Sequence, residues 1–209
     1  MKTKSVVLAA FGAAVLGGSM VGFNSNVNAG DAAMFETSRA DAFGVDATHS
    51  SVLFKVGYMG VTNFYGRFGQ VAGEYAIDLE NPSNSILNVA VKTESVDSNN
   101  ADRDKHLRGA DFFSAKEFPE IRFVGKSFEA VGDNTIKVTG DLTLRGVTQE
   151  ETATLEWIGG REDPRGGYRS GFEAVLEIDR SDYGVSYGVE NGALGDKTTI
   201  TVALTGMRQ

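Results

Sequence analysis

After residue 50 the chain alternates apolar and polar residues between glycine-rich turns, and a period of two commits it to half-buried β-strands rather than helices. Val52, Phe54, Val56 and Tyr58 share one parity; so do Leu87, Val89 and Val91, and Ile136, Val138, Leu142 and Leu144. The same holds for Phe172, Ala174, Leu176 and Ile178, and for Ile200, Val202 and Leu204. Further candidates at 68–79, 121–128 and 152–158 bring the set to about eight strands, each with one apolar face. Turn signals separate them: Asn81-Pro82-Ser83, Gly132-Asp133-Asn134, Arg145-Gly146, Gly159-Gly160 with Gly166-Gly167, and Asn191-Gly192. No helical pattern is long enough to carry a parallel crossover. The fold class expected is therefore all-β, an antiparallel sheet closed into a barrel whose interior either packs solid or holds one small ligand.

Lys2 and Lys4 precede an apolar stretch from Val6 to Phe23, and Val27-Asn28-Ala29 places small residues where a signal peptidase reads. Residues 1–29 are read as a cleaved secretory signal, 30–42 as a flexible leader and 43–209 as a single domain. An uncleaved membrane anchor is the alternative, but the stretch is rich in Ala and Gly and no cationic stop-transfer segment follows it. Cleavage would remove two lysines and no acids, moving the formal charge from −8 to −10. With no basic stripe, nucleic acid and anionic headgroups are poor candidate partners. The absence of cysteine rules out disulfides, thiolate nucleophiles and cysteine-based metal sites, so the core alone must hold the fold.

One segment, from Ser95 to Phe123, breaks the alternation. Asn100 is placed to cap a short helix through Ala101-Asp102-Arg103-Asp104-Lys105-His106-Leu107-Arg108, with acids in the first turn, His106 and Arg108 in the last, and Gly109 as a left-handed terminator. Phe112, Phe113, Phe118 and Phe123 follow at once, so the helix is expected to be tied by aromatic rings to the barrel as a lid or plug.

Candidate chemistry is sparse. The expected mature chain holds neither a nucleophile elbow nor a phosphate-binding glycine signature. The two histidines, His49 and His106, stand far apart; without ligand spacing a shared metal site with Asp46, Asp102 or Asp104 is the weaker reading, and no metal or other cofactor is expected. His49 fits a hydrogen bond at a strand start, and His106 a helix C-terminus where a cation is favoured. The rings Phe54, Tyr58, Phe64, Tyr65, Phe68, Phe112, Phe113, Phe118, Phe123, Trp157 and Tyr183 suit a filled core and the walls of an apolar pocket equally well, though many gather near the irregular segments where a barrel has its mouth.

An ordered set of motifs resembles the YceI-like family. It comprises Asp46-Ala47-Thr48-His49-Ser50 with Val52 and Phe54, then Gly66-Arg67-Phe68, Ser95-Val96-Asp97, Arg103-Asp104-Lys105-His106-Leu107, Asp111-Phe112-Phe113 and Phe118-Pro119. It continues through the run from Val138 to Thr148 and ends in Asp179-Arg180-Ser181-Asp182-Tyr183-Gly184. The resemblance implies a lipocalin-like barrel of about eight strands with a long apolar channel for a polyisoprenoid or other long-chain amphiphile, secretion to the periplasm, and no settled catalytic activity. The family's usual His-Leu-Gly after the first strand is here Tyr58-Met59-Gly60, so any headgroup contact of that histidine passes to a tyrosine or is lost.

The reading that follows is a periplasmic carrier or sequestering protein for a quinone-like, prenyl-like or fatty-acyl-type amphiphile. Its partners exclude nucleic acid and any stable membrane span after signal cleavage, and admit a homodimer. The expected channel walls are Phe54, Val56, Tyr58, Phe68, Phe123, Leu142, Leu144 and Trp157, with Phe112, Phe113 and Phe118 at the mouth and His49, Arg103, His106 and Arg145 as headgroup candidates. Two rivals stay open: a redox accessory or enzyme acting on a bound isoprenoid quinone through His49 or His106, and a filled barrel that binds only other proteins.

Overall fold

A computed structural model describes residues 42–209. The expected signal and nearly all of the expected leader lie outside that range; Ala42, the leader's last residue, is buried, and its carbonyl accepts from the Gln209 amide at 3.0 Å.

Among the described residues the strands are β1 (Phe43–Val45), β2 (Ser51–Tyr58), β3 (Thr62–Phe68), β4 (Val71–Ala76), β5 (Ile86–Lys92), β6 (Val96–Asp97), β7 (Glu120–Gly132), β8 (Thr135–Leu144), β9 (Val147–Glu162), β10 (Tyr168–Asp179) and β11 (Leu194–Arg208), with one α-helix, α1 (Ala101–Leu107), between β6 and β7. Three of the barrel's staves are each broken once. A 3₁₀ turn at Ala47–His49 divides β1 from β2, Gly69-Gln70 divides β3 from β4, and a second 3₁₀ turn at Thr93–Ser95 divides β5 from β6. The first break is fixed by Asp46, whose side chain accepts from Thr48 N at 3.0 Å, and by Ser50, whose hydroxyl donates to the Asp46 carbonyl at 2.7 Å and accepts from Thr205 N at 3.1 Å.

With the broken staves counted whole, eight antiparallel staves run in chain order around the barrel. Closure comes from β11, which pairs with β10 along one edge and with β2 and then β1 along the other. Among the described residues every stave thus pairs with a neighbour on each side over at least part of its length, although 62–66 of β3 and 125–132 of β7 pair on one side only. Successive connections alternate between the two ends. One end carries 59–61, the segment 98–119 with α1, the turn at 145–146 and the loop 180–193; the other carries 77–85, 133–134 and 163–167.

The second end is packed solid. Tyr75 and Phe172 are almost wholly buried and meet edge to face at 4.9 Å, and Phe43 stacks on Tyr75 at 5.5 Å. Ile136, Val138 and Leu155 complete this floor. The Tyr75 hydroxyl donates to the Ser170 carbonyl at 2.8 Å, and burial raises its pKa, so it stays a donor.

Three local expectations are corrected. A strand at 62–68 escapes the periodicity because its inward face includes Gly66; a Cβ there would collide with the ring of Phe54, so the sheet needs glycine where the pattern calls for a hydrophobe. Gly159-Gly160 is not a turn but lies inside β9, opposite a register shift at Gly171/Phe172. Gly109 does not stop α1 in a left-handed conformation: Arg108 is right-handed, Gly109 is not among the positive-φ residues, and its N–H closes a tight turn on the His106 carbonyl at 2.9 Å.

Candidate functional site

The inward parity of the strands does not fill the barrel between floor and lid. Val52, Phe54 and Val56 from β2, Leu87, Val89 and Val91 from β5, and Leu142 and Leu144 from β8 surround an internal cavity. Phe172, Ala174, Leu176 and Ile178 from β10 and Leu194, Ile200, Val202 and Leu204 from β11 complete its wall. Its volume is about 150 Å³. From Leu194 to Leu204, at about 3.3 Å per residue on strands tilted about 40°, the wall runs to a depth of about 25 Å. Among the lining residues only Arg122, Arg180 and Thr198 have polar side chains.

The lid is built as its sequence dictates. Asn100 accepts from Arg103 N at 2.9 Å and starts α1. Asp104 is buried, yet its carboxylate receives the Ser98 amide at 2.7 Å and the Ser98 hydroxyl at 2.5 Å, which ties the helix to the end of β6. Arg108 donates to the carbonyls of Glu94 at 2.7 Å and Val96 at 2.8 Å. Leu107, Phe112 and Phe113 then face the cavity, and Phe113 meets Phe68 at 5.5 Å and Phe54 at 6.3 Å, both edge-on.

Arg180 is the one strongly buried cation on the wall, 6% exposed. Its Nε donates to the Gly195 carbonyl at 2.9 Å, Nη1 to Val185 at 2.7 Å and Nη2 to Tyr187 at 2.9 Å. Burial pushes its pKa down and the charge of Asp196 opposes this. The Asp196 carboxylate itself is occupied by the Ser181 amide at 2.9 Å and hydroxyl at 2.7 Å. Three of five guanidinium N–H groups are thus used, and they gather the 180–195 loop over the mouth. Tyr183, fully buried in the same loop, donates to Glu151 at 2.7 Å; burial, then that carboxylate, raises its pKa.

Of the expected site residues, Phe54, Val56, Phe68, Phe112, Phe113, Phe123, Leu142 and Leu144 line the cavity. The others do not, and all but Tyr58 are held by contacts elsewhere. Tyr58 is 45% exposed at the end of β2. Phe118 lies against Gly146 of the β8–β9 turn, and Trp157 packs in part against the core outside the cavity. His49 is exposed, its Nδ1 at 2.8 Å from the Asp46 carboxylate. Arg103 donates to the Ser98 carbonyl at 2.7 Å and lies 4.2 Å over the Phe64 ring. His106 stands outside the lid, with Nε2 at 2.9 Å from Asp111 and its ring edge-on to Phe112 and Tyr187, each at 5.0 Å. Arg145 donates to the carbonyls of Phe112 at 3.2 Å and Gly184 at 2.6 Å.

Arg122, Arg180 and Thr198 were missed as site residues, and two of them had a signal. Extending the inward parity Phe172, Ala174, Leu176, Ile178 by two reaches Arg180, and extending Ile200, Val202, Leu204 back by two reaches Thr198. A polar residue on an apolar parity at the mouth end is the mark that was available. Among the described residues no group of three or more His, Cys, Asp or Glu could hold a metal, and no helix is long and apolar enough to cross a membrane.

Comparison with known proteins places these features in a family. The YceI-like domain matches residues 43–206. Protein YceI of Escherichia coli O17:K52:H18 is 36% identical over 164 residues, covering 78% of this chain and 84% of its own. The structure of BcnA from Burkholderia cenocepacia superposes with a TM-score of 0.69 at 23% identity, covering 77% of this chain and 98% of that one. A structure described as a polyisoprenoid binding domain from Saccharophagus degradans implicated in plant cell wall breakdown superposes with a TM-score of 0.61 at 16% identity, covering 81% and 99%. The last two likenesses establish the shared fold. The closed eight-stave barrel, its lid and the match across nearly all of the described residues agree: the chain belongs to the YceI-like family.

Proposed function

We propose that the protein binds a polyisoprenoid or other long-chain amphiphile in the barrel and acts as a non-catalytic carrier or sequestering protein in the periplasm. The observation that carries this reading is an apolar cavity lined along β11 from Leu194 to Leu204, whose buried polar side chains, Arg180 and Thr198, lie toward the lid end. A tail fits the aliphatic wall down to Phe172, and a head bearing an oxygen acceptor fits the N–H groups that Arg180 does not spend on carbonyls. Each buried methylene contributes about 0.8 kcal/mol, so about twenty contribute on the order of 16 kcal/mol, just above the roughly 4–15 kcal/mol that association costs. Binding needs no chemistry beyond burial. The polyisoprenoid description of the Saccharophagus degradans neighbour supports the ligand class, and the N-terminal charge and apolar pattern support export.

The quinone-enzyme alternative requires a histidine at the ligand. His49 is hydrogen-bonded at the β1–β2 break and His106 lies behind Phe112, so neither is on the cavity wall. Native mass spectrometry of protein purified from its exporting host tests the proposal. The expected result is a chain beginning within a residue or two of Gly30 and carrying one lipid-sized ligand; a ligand-free population under gentle conditions would overturn the binding reading, and a retained N-terminus the export reading.

A further inference from the structure

The two ends of the barrel differ in chemistry. Every connection at the floor end carries charge: Asp78 and Glu80, Asp133, and Asp163 with Arg165. At the mouth end the β2–β3 hairpin does the opposite. From Val56 to Gly66 no residue is charged, in a chain where 23% of residues are. Its tip displays Tyr58 at 45%, Met59 at 60% and Val61 at 78% exposure, with Tyr65 at 61% further along β3.

The tip turn makes this display harder to attribute to folding. Val61 N donates to the Tyr58 carbonyl at 3.0 Å, and both central residues have positive φ, Met59 at 52° and Gly60 at 68°. Asn or Gly would suit the first of these positions far better than Met. A solvent-facing turn thus accepts backbone strain while presenting a long apolar side chain to water.

The tip is also continuous with the cavity. Val56, two residues before Tyr58, lines it; Tyr58 pairs in register with Leu194, which lines it too, and Met59 N donates to the Ala193 carbonyl at 3.1 Å. Phe64, on the hairpin's second strand, lies under the Arg103 guanidinium of the lid helix. Tip, wall and lid are one connected unit.

We infer that the β2–β3 tip is a docking element that inserts Met59 and Val61 into an uncharged, zwitterionic bilayer surface and so sets the cavity mouth against lipid. The match is one of charge. An uncharged apolar tip on an acidic protein is attracted by hydrocarbon and is not drawn to anionic headgroups. The inference rests on the lipid-binding reading above for its purpose, but not for its test.

Because the chain has no cysteine, Val61→Cys gives a unique site for an environment-sensitive fluorophore, and Asp133→Cys gives a control at the floor end. Adding phosphatidylcholine vesicles to the protein, in the form its host processes, should blue-shift the label at 61 and leave that at 133 unchanged. Met59→Asn combined with Val61→Ser, in an otherwise unaltered chain, should lower the vesicle-bound fraction at least about tenfold. The unfolding midpoint should not fall, since both side chains are exposed and Asn suits a left-handed turn. No shift at 61, equal shifts at both sites, or a shift at 61 that grows with protein concentration in the absence of vesicles would overturn the proposal, the last by showing that tips pair with each other. Protein that docks yet extracts without lipid would leave docking standing and remove the carrier reading; protein that carries lipid but whose tip never shifts would do the reverse.

Discussion

Replacing Phe113 by Ala should separate what holds the fold from what surrounds the ligand. The Phe113 ring is half-buried, with edge-on partners Phe68 at 5.5 Å and Phe54 at 6.3 Å and open cavity on its remaining side. Two such ring pairs contribute about 1–3 kcal/mol beyond area burial, and truncation widens an existing void instead of creating one, so the lipid-free protein should lose about 2–3 kcal/mol. Phe112 is the internal comparison. It is buried, has His106 at 5.0 Å and Tyr187 at 5.1 Å, and its carbonyl takes Arg145, so Phe112→Ala should cost about 3–5 kcal/mol. Urea unfolding of delipidated and lipid-loaded protein gives both numbers. Both variants should gain less stability on loading than wild type does, because Phe112 and Phe113 both line the cavity and each truncation forfeits part of the stabilisation that a bound ligand confers. Equal costs in delipidated protein, or a Phe113→Ala variant with wild-type stability and full lipid content, would refute the assignment of Phe113 to the cavity wall.

Arg180→Met should destabilise by about 3–5 kcal/mol in urea unfolding, since the carbonyls of Val185, Gly195 and Tyr187 lose their shared donor; Arg180→Lys should recover less than half, because an ammonium cannot fork to three divergent acceptors. Asp46 is held at a pKa of about 2, first by the His49 hydrogen bond and also by Arg169. A depressed folded-state pKa stabilises fully above the unfolded carboxyl value near 4 and is lost as pH falls through about 2, so acid-induced unfolding in that window should be shallower in Asp46→Asn than in wild type. Gly66→Ala should push the Phe54 ring into the cavity and reduce recovered lipid while circular dichroism still reports β-structure; unchanged lipid content would show that Phe54 has room elsewhere.

The barrel was legible because its walls obey one rule. Inward parity at Val52, Phe54 and Val56, at Leu142 and Leu144, and from Phe172 to Ile178 is set by the pleat, and the observed register preserves it. The lid helix was legible because its cap and its acidic first turn are local. What was not legible depends on contacts between distant residues. Gly66 interrupts the apolar parity until Phe54 is placed over it, and Gly159-Gly160 reads as a turn until β9 is paired with β10. The same limit governs the polar candidates. His49, Arg103, His106 and Arg145 are each consumed by partners that no spacing reveals, whereas Arg180, placed by parity on the wall, passed as part of a motif. Type alone could not rank them; position on an inward parity could.

The claim that a long-chain lipid lies along the β8 wall is tested most directly at Leu144, which is 4% exposed and lines the cavity. Lipid extracted by organic solvent from purified Leu144→Glu and Leu144→Met should be quantified per folded chain against wild type. A carboxylate there would lose hydration beside the tail without gaining a partner, so the Glu variant should yield little or no lipid, while the Met variant, close in volume, should match wild type at about one lipid per chain. Equal stoichiometry of the same lipid from folded Glu and Met variants would contradict the account.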